Sequence, residues 1–407
     1  MLSIFLSGTG TAPVTGLHVG GIPIEFFIFA LTLFSVAVFH HHTLKSAISG
    51  LIVIVVYKVL VQDFSLTDHF IGTDAHPGEW NILLNLFGLL TGFSLLADHF
   101  ERSRIPDLLP RHLPQSWRGG FVLLVFVFIL SSFLDNIAAA MIGGTMAHVV
   151  FKGKVHIAYL AGIVAASNAG GAGSVLGDTT TTMMWIDGIN AIDVLPAFIA
   201  SVVAFMTFGV YSAWRQQRWC PVSGDTRADT NIDWSRMIVV VLILAGAIAT
   251  NIMFDFPAAG VWLAIVAGCL LRTPNWRLLP SAIQGSVFLL SLVASASMMP
   301  VDELPIASWK TTFMLGFVSS VFDNIPLTKL ALDQMGYDWG LLAYAVGFGG
   351  SMVWFGSSAG VALSNMYPQV RSVKAWVING WPIMVGYILG FFAQLLACGW
   401  HPHAPHK

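Results

Sequence analysis

Long apolar runs alternate with short polar segments along most of the chain. A helix that crosses a membrane needs about 20 mostly apolar residues. Candidate spans cover residues 22–39, 44–61, 80–97, 192–214, 237–254, 257–271, 282–299 and 375–398. Composition agrees, because 56% of residues are hydrophobic and 10% are charged, whereas about a quarter are charged in a soluble globular protein. The sequence therefore predicts an all-α polytopic membrane protein.

Two apolar regions are each interrupted by an Asp-Asn pair. Residues 121–134 and 137–150 flank the first pair, which begins at Asp135. At 1.5 Å per residue, each of these arms reaches roughly 21 Å, short of the ~30 Å hydrocarbon core. We therefore expect a re-entrant hairpin near residues 119–151 and, from the corresponding pattern, a second one near residues 310–334.

Two longer apolar regions contain runs of glycine and small polar residues. Residues 155–186 include "SNAGGAGSVLGDTTTT", and residues 339–366 include "GFGGSMVWFGSSAG". Such runs favour helices that break within the membrane. The glycines at the two breaks are Gly170, Gly171, Gly177, Gly349, Gly350 and Gly356.

The basic residues indicate an orientation, because cytoplasmic loops carry an excess of lysine and arginine. With the N-terminus outside and each hairpin returning to its own side, 15 of the 19 Lys and Arg residues are cytoplasmic. They are Lys45, Arg102, Arg104, Arg111, Arg118, Lys152, Lys154, Arg215, Arg218, Arg227, Arg236, Arg272, Arg277, Arg371 and Lys374. We expect a multi-pass protein of a bacterial inner (plasma) membrane, with its N-terminus and C-terminus outside.

The chain divides into two similar halves, each with three spans, a hairpin, a glycine-broken helix and a final span. The prediction is a first repeat over residues 22–214, a cytoplasmic linker over 215–235 and a second repeat over 236–398. Each half makes five full crossings, an odd number, so the second repeat is inverted. Inverted repeats with paired broken helices are typical of secondary transporters, which bind substrate near the midplane.

The two hairpins supply matching candidate ligands for an ion. The matched residues are Ser131, Asp135 and Asn136 in the first hairpin and Ser319, Asp323 and Asn324 in the second. Ionisable residues inside a membrane are costly and usually face a cavity or pathway, and carboxylate and amide oxygens suit hard cations such as sodium or lithium. The alternative is that these side chains only cap the second arm of each hairpin. The two roles are compatible.

The first broken helix adds Asn168, Asp178 and four consecutive threonines, Thr179 to Thr182. Asp178 is either a third carboxylate in the same cavity or the N-cap of the helix after the break. Its counterpart in the second half is Ser357, so the site would be asymmetric. Competition between a proton and a metal ion for one carboxylate gives exchange without further machinery. This pattern favours a cation/proton antiporter.

Lys329 lies in the second arm of the second hairpin, six residues after Asp323. Three interpretations stay open. The lysine could neutralise a site carboxylate and modulate the charge moved per cycle, contribute to an anion site, or extend to the outer surface.

The remaining composition limits the partners and cofactors. A net charge of -2 with scattered basic residues indicates no nucleic-acid partner. Cys220, Cys269 and Cys398 are far apart and form no CxxC, so neither a disulfide framework nor a thiolate metal site is predicted. We expect monovalent cations, protons and the lipid bilayer as partners, and no cofactor.

The hairpin and broken-helix motifs resemble those of the NhaD-type sodium/proton antiporters, in a superfamily that also includes arsenite and dicarboxylate carriers. The resemblance rests on "FLDNIAAAMI", "SNAGGAGSVLGDTTTTMMWI", "VFDNIPLT" and "GGSMVWFGSSAGVA" and covers nearly the whole chain. It implies an elevator-type carrier, commonly a homodimer, that exchanges sodium or lithium for protons. The matching functional positions are Asp135, Asn136, Asp178, Thr180, Ser319, Asp323 and Asn324.

The chain departs from the family pattern at two places beside the expected binding loop. It has "GSVLGD" where the family has a Ser-Pro or Thr-Pro pair before Ile-Gly-Asp, and Ala138 where the first hairpin more usually has proline or threonine. Two other functions stay open: the same scaffold carrying an anion such as arsenite, bicarbonate or a carboxylate, and an intramembrane aspartyl protease using Asp135 and Asp178. The sequence favours a transporter over an enzyme.

Overall fold

The computed structural model describes residues 16–39, 42–73, 76–108, 113–222 and 231–402. Residues 223–230 of the predicted linker therefore lie outside the described residues. Within the described ranges helices dominate, and the strands form two short antiparallel pairs. These are β1 (His18–Val19) with β2 (Ile22–Pro23), and β3 (Gly72–Thr73) with β4 (His76–Pro77).

The helices follow the predicted order. Those of residues 16–222 are α1 (Ile24–Val38), α2 (Thr43–Gln62), α3 (Leu66–Phe70), α4 (Trp80–Arg102), α5 (Trp117–Ser131), α6 (Asn136–Val150), α7 (Ile157–Gly171), α8 (Thr179–Ile186), α9 (Ala191–Val194) and α10 (Ala197–Trp219). Those of residues 231–402 are α11 (Trp234–Phe254), α12 (Pro257–Gly268), α13 (Leu279–Ser297), α14 (Trp309–Ser319), α15 (Asn324–Gln334), α16 (Trp339–Gly349), α17 (Ser358–Met366) and α18 (Val373–Cys398). Short 3-10 segments lie at Pro106–Leu108, Trp276–Leu278, Val301–Glu303, Gly350–Met352 and Pro368–Arg371.

Six stretches of the described chain are long and apolar enough to cross a membrane. They are Thr43–Gln62, Trp80–Leu108, Ala191–Trp219, Trp234–Phe254, Trp276–Ser297 and Val373–Cys398. Large apolar side chains such as Leu60, Ile252 and Leu396 are strongly exposed on these helices, as expected for surfaces that contact lipid. The prediction of an all-α polytopic membrane fold is confirmed.

The four arms around the Asp-Asn pairs are short helices. α5 and α6 each have 15 residues, about 22 Å in length, and α14 and α15 each have 11 residues, about 16 Å. Asp135 is the N-cap of α6 and Asp323 is the N-cap of α15. Both arms of each pair are therefore shorter than the ~30 Å hydrocarbon core.

Glycines let the broken helices pack directly on the first arm of each hairpin. A Cβ added to Gly170 would collide with the carbonyl oxygen of Phe128, and one added to Gly349 would collide with that of Gly316. A second pair of glycines, Gly177 and Gly356, likewise lies against hairpin carbonyl groups. The breaks can thus approach the hairpin backbone only where no side chain is present.

Gly171 and Gly350 lie inside the breaks themselves. A Cβ added to Gly171 would come within 2.6 Å of the carbonyl oxygen of Gly177, and one added to Gly350 would come within 2.6 Å of that of Gly356. Each break therefore folds back on its own backbone, and the candidate ligands that flank it are held close together.

The helices pack in two groups. In the first group α4 packs on α12 and α13, α13 packs on α2, and α11 packs on α12; we call these helices, with α1, the framework. In the second group, α5 packs on α7, α10 on α18, and α14 on α16. The two groups meet where α13 contacts α15 and where α4 contacts α8. The helix of the second Asp-Asn pair and the helix after the first break therefore border the framework.

Candidate functional site

The two paired aspartates have corresponding hydroxyl partners in the two halves. Asp135 accepts a hydrogen bond from the backbone amide of Ile137 at 3.2 Å and from Thr179 Oγ1 at 3.4 Å. Asp323 accepts one from the amide of Ile325 at 3.0 Å and from Ser358 Oγ at 3.2 Å. Each aspartate thus caps a helix and also joins its hairpin to the helix after the break.

Asp178, Asn136 and Asn168 form a buried polar network. Asn136 Nδ2 donates to Asn168 Oδ1 at 3.1 Å and lies 3.4 Å from Asp178 Oδ1. Asn168 Nδ2 in turn donates to Ser351 Oγ at 2.9 Å, which links the first broken helix to the second. All four side chains are less than 5% exposed. The network therefore connects the two halves at the level of the breaks.

Two oxygen atoms beside this network have no hydrogen-bond partner among the described residues: Asp178 Oδ2 and Thr180 Oγ1. Both face Gly347 of α16, because a Cβ added to that glycine would come within 2.7 Å of Asp178 Oδ2 and 3.7 Å of Thr180 Oγ1. A buried carboxylate oxygen without a partner is costly. These two oxygens are therefore available as acceptors, which a proton or a hard cation would satisfy.

The remaining predicted ligands, Ser131, Ser319 and Asn324, differ between the two halves in their hydrogen bonds. Ser131 Oγ is buried without a hydrogen-bond partner among the described residues, whereas Ser319 Oγ donates to the carbonyl of Val346 at 2.7 Å. Asn324 is 4% exposed at the start of α15. The two halves therefore offer a cation unequal sets of oxygen ligands, and among the described residues the first half has more oxygens without a hydrogen-bond partner.

A cavity of about 580 Å³ opens onto the first half of the site. Asp135, Asp178 and Thr179 line it. Asp98 and Glu101, near the end of α4, line the same cavity. Its walls come from the framework helices α4 and α13 on one side and from α6 and α8 on the other. An ion can therefore reach the carboxylates along a surface shared by the two helix groups.

Lys329 pairs with two carboxylates other than the paired aspartates. Its Nζ lies 2.8 Å from Glu79 Oε1 and 2.7 Å from Asp333 Oδ1, and the residue is 1% exposed. This buried lysine therefore does not extend to the outer surface, which was one of the three interpretations of the sequence. Its predicted influence on the charge of the site stays a prediction.

Sequence reasoning did not select four residues that the structure places in this region: Thr179, Ser358, Ser351 and Gly347. Thr179 and Ser358 each follow directly on a matched position, Asp178 and Ser357, so the alignment of the two halves contained the signal for them. Ser351 and Gly347 had no such signal, because their contacts to Asn168 and Asp178 depend on how the two broken helices cross.

Comparisons with known proteins agree with the motifs. No protein-family model matches the chain. Sodium/proton antiporter 1 of Arabidopsis thaliana is 26% identical over 80% of this chain and 63% of its own length. Na(+)/H(+) antiporter NhaD of Vibrio parahaemolyticus is 25% identical over 61% of this chain and 72% of its own length, and that of Vibrio cholerae is 25% identical over 69% of each.

The chain thus spans just under two thirds of the length of the Arabidopsis relative. These relatives and the all-α membrane fold fit a transporter rather than an enzyme. The relatives named as sodium/proton antiporters are 24–26% identical to this chain over most of its length. The chain is therefore consistent with the NhaD-type sodium/proton antiporter family, as its motifs predicted.

Proposed function

We propose that the chain exchanges sodium or lithium for protons across a membrane. The observation that carries this proposal is the pair of unpartnered acceptors, Asp178 Oδ2 and Thr180 Oγ1, inside a buried network at the helix breaks. A site rich in oxygen acceptors stabilises positive charge, and a carboxylate can neutralise either a proton or a cation. The antiporter names of the relatives support the same assignment.

The mechanism follows from competition for the carboxylates. A sodium ion requires Asp178 and Asp135 in their ionised forms, with hydroxyl and amide oxygens completing its shell. A proton that binds the same carboxylate removes the charge that holds the ion. Binding of one species therefore expels the other, and a change of accessible side between the two events produces exchange.

Alternating access of an elevator type is part of the proposal. It is supported by the correspondence of two contacts, Asp135 with Thr179 and Asp323 with Ser358, which is what an inverted repeat over residues 22–214 and 236–398 predicts. Arms too short to cross the membrane support hairpins that return to their own side. A homodimer in a bacterial inner membrane, with both termini outside, completes the proposal and rests on the family resemblance and the loop charges.

Lys329 gave the anion alternative its support from the sequence. Because this lysine pairs with two carboxylates, Glu79 and Asp333, its positive charge is already compensated and is not offered to an anion. The contacts therefore favour a cation over arsenite, bicarbonate or a carboxylate.

Exchange in everted membrane vesicles tests the proposed function. Respiration acidifies the vesicle lumen, and sodium, lithium, potassium and the candidate anions are then added in turn while lumenal pH is followed by fluorescence. We expect sodium and lithium to discharge the proton gradient, because both are small hard cations, and we expect a weaker response to potassium. Uptake of an anion with no response to any monovalent cation would overturn the assignment.

Replacing the hydroxyl partners should weaken sodium binding without abolishing exchange. Thr179→Ala and Ser358→Ala each remove one hydrogen bond to a site carboxylate, a contribution of about 1 kcal/mol, or roughly fivefold in affinity. The sodium concentration for half-maximal exchange should rise by that factor. Thr207→Ala is the control, because its hydroxyl donates to the carbonyl of Val203 within α10. An unchanged half-maximal concentration in both test variants would contradict the assigned contacts.

A further inference from the structure

A buried ion-pair cluster joins the helix of the second Asp-Asn pair to the framework. Lys329 Nζ on α15 lies 2.8 Å from Glu79 Oε1, at the start of α4, and 2.7 Å from Asp333 Oδ1, one turn further along α15. The lysine side chain is 2% exposed, and those of the glutamate and aspartate are 17% and 23% exposed. We call these three residues the lysine cluster.

The cluster depends on the lysine for its charge balance. Two carboxylates share one ammonium group, and the second oxygens, Glu79 Oε2 and Asp333 Oδ2, are buried without hydrogen-bond partners among the described residues. Separating a buried carboxylate from its lysine leaves a charge with little solvent to stabilise it. The position of α15 relative to α4 is therefore strongly favoured while the pair between Lys329 and Glu79 exists.

One end of the cluster belongs to the ion site. α15 begins at Asn324, directly after Asp323, and Lys329 follows Asp323 by six residues on the same helix, about 9 Å along its axis. A helix of this length moves as a unit, so a displacement of Lys329 displaces Asp323 as well.

The other end is fixed to the framework. The backbone amide of Glu79 donates to the carbonyl of His69 at 3.1 Å, and His69 Nε2 lies 2.9 Å from Ser297 Oγ at the end of α13. α4, which begins directly after Glu79, packs against α12 and α13. Glu79 thus cannot follow α15 if the second helix group shifts against the framework.

We infer that Lys329 is a positioning residue, which holds the ion-site helix α15 against Glu79 of the framework in the conformation whose cavity reaches Asp135 and Asp178. Asp333 orients the lysine from its own helix, and Glu79 supplies the contact that breaks when the two groups move. The inference rests on the proposed function in one respect, namely that exchange requires such a movement.

Labelling of a cysteine in the cavity measures how strongly the conformation with the open cavity is favoured. Met141→Cys lines the cavity on α6, and the native cysteines Cys220, Cys269 and Cys398 are replaced by serine. The purified protein in detergent is treated with a hydrophilic maleimide, and the labelling rate is compared between the parent and the variants Glu79→Gln and Asp333→Asn. Both variants remove one carboxylate from the same lysine, but only Glu79→Gln removes the contact to the framework.

We expect Glu79→Gln to slow labelling about twofold. If loss of the ion pair lowers the equilibrium constant for the conformation with the open cavity tenfold, the share of molecules in that conformation falls from nine-tenths to about one-half. Asp333→Asn should label at the parent rate, and Lys329→Arg should keep that rate because arginine can pair with Glu79. Equal rates in the parent and Glu79→Gln, or an equal slowing in both carboxylate variants, would overturn the inference. If Glu79→Gln does not fold, Glu79→Asp gives the same comparison with a shorter side chain that retracts the carboxylate.

Sodium/proton exchange of the parent protein is measured in parallel in proteoliposomes. A parent that does not exchange sodium for protons refutes the proposed function alone, because the labelling difference between Glu79→Gln and Asp333→Asn needs no transport. Active exchange together with no labelling difference refutes the positioning role alone.

Discussion

Replacing Asp135, Asp178 or Asp323 by asparagine is expected to abolish sodium-driven proton movement while the protein still inserts in the membrane. Asparagine keeps the size of the side chain and its capping oxygen, so the helix starts at α6, α8 and α15 remain formed. It removes the negative charge that binds the cation and the group that carries the proton. Exchange in everted vesicles should fall to the level of vesicles without the protein, for each of the three variants.

Asp302→Asn is the matched control, because this aspartate is exposed in the short 3-10 segment before α14. It should exchange at the parent rate. The amount of each variant in the membrane is measured by immunoblotting. Full exchange in any of the three site variants would reduce that aspartate to a helix cap, which is the alternative that the sequence left open.

Gly170→Ala is expected to give the largest loss of folded protein. A Cβ at this position collides with the backbone of Phe128 in α5, and backbone atoms of a packed helix have little freedom to move aside. Overpacking of this kind costs roughly 1–3 kcal/mol. Here it also forces the first broken helix away from the hairpin arm α5. We expect a lower yield and an earlier thermal transition in detergent, measured by fluorescence-detected size exclusion after heating.

Gly285→Ala provides the comparison. This glycine lies within α13, and a Cβ added to it meets no atom within 4 Å. Alanine favours the helix over glycine by roughly 1 kcal/mol, so this variant should melt at or above the parent temperature. A Gly170→Ala protein as stable as Gly285→Ala would contradict the close packing of the first break on α5.

Six of the eight predicted spans were the most predictable part of the fold, whereas the predicted spans 22–39 and 257–271 are the shorter helices Ile24–Val38 and Pro257–Gly268, of 15 and 12 residues. Apolar runs such as residues 44–61 and 375–398 correspond to helices Thr43–Gln62 and Val373–Cys398, because lipid requires every backbone group to bond within its own helix. The arms around each Asp-Asn pair were also predictable, since the polar pair ends one helix and caps the next. Local chemistry determines these features, and sequence reports local chemistry directly.

The pairings within the candidate site were only partly predictable. Matching the two halves indicated Asp135 and Asp323, and the family resemblance indicated Thr180, but neither indicated that Thr179 donates its hydroxyl to Asp135. The choice between adjacent threonines depends on the rotation of α8 about its axis. That rotation is set by packing between helices, so the sequence of one segment does not contain it.

Lys329 illustrates the same limit at longer range. The sequence suggested a surface, anion or charge-modulating role, while its partner Glu79 lies 250 residues away along the chain. No periodicity links these positions, because the contact arises only when α15 packs beside the start of α4. A buried charge can be noticed in a sequence, but a distant partner of this kind has to be found in the fold.

Uptake of radioactive sodium by proteoliposomes that contain the purified chain shows directly whether it exchanges sodium for protons. Liposomes with an acidic lumen and an alkaline exterior drive protons outward, so an exchanger accumulates external sodium above its equilibrium level. The expected result is sodium accumulation that disappears when a protonophore and valinomycin with potassium collapse the pH gradient, and that is absent with Asp178→Asn. Sodium uptake that is independent of the pH gradient, or is equal in Asp178→Asn, would contradict it.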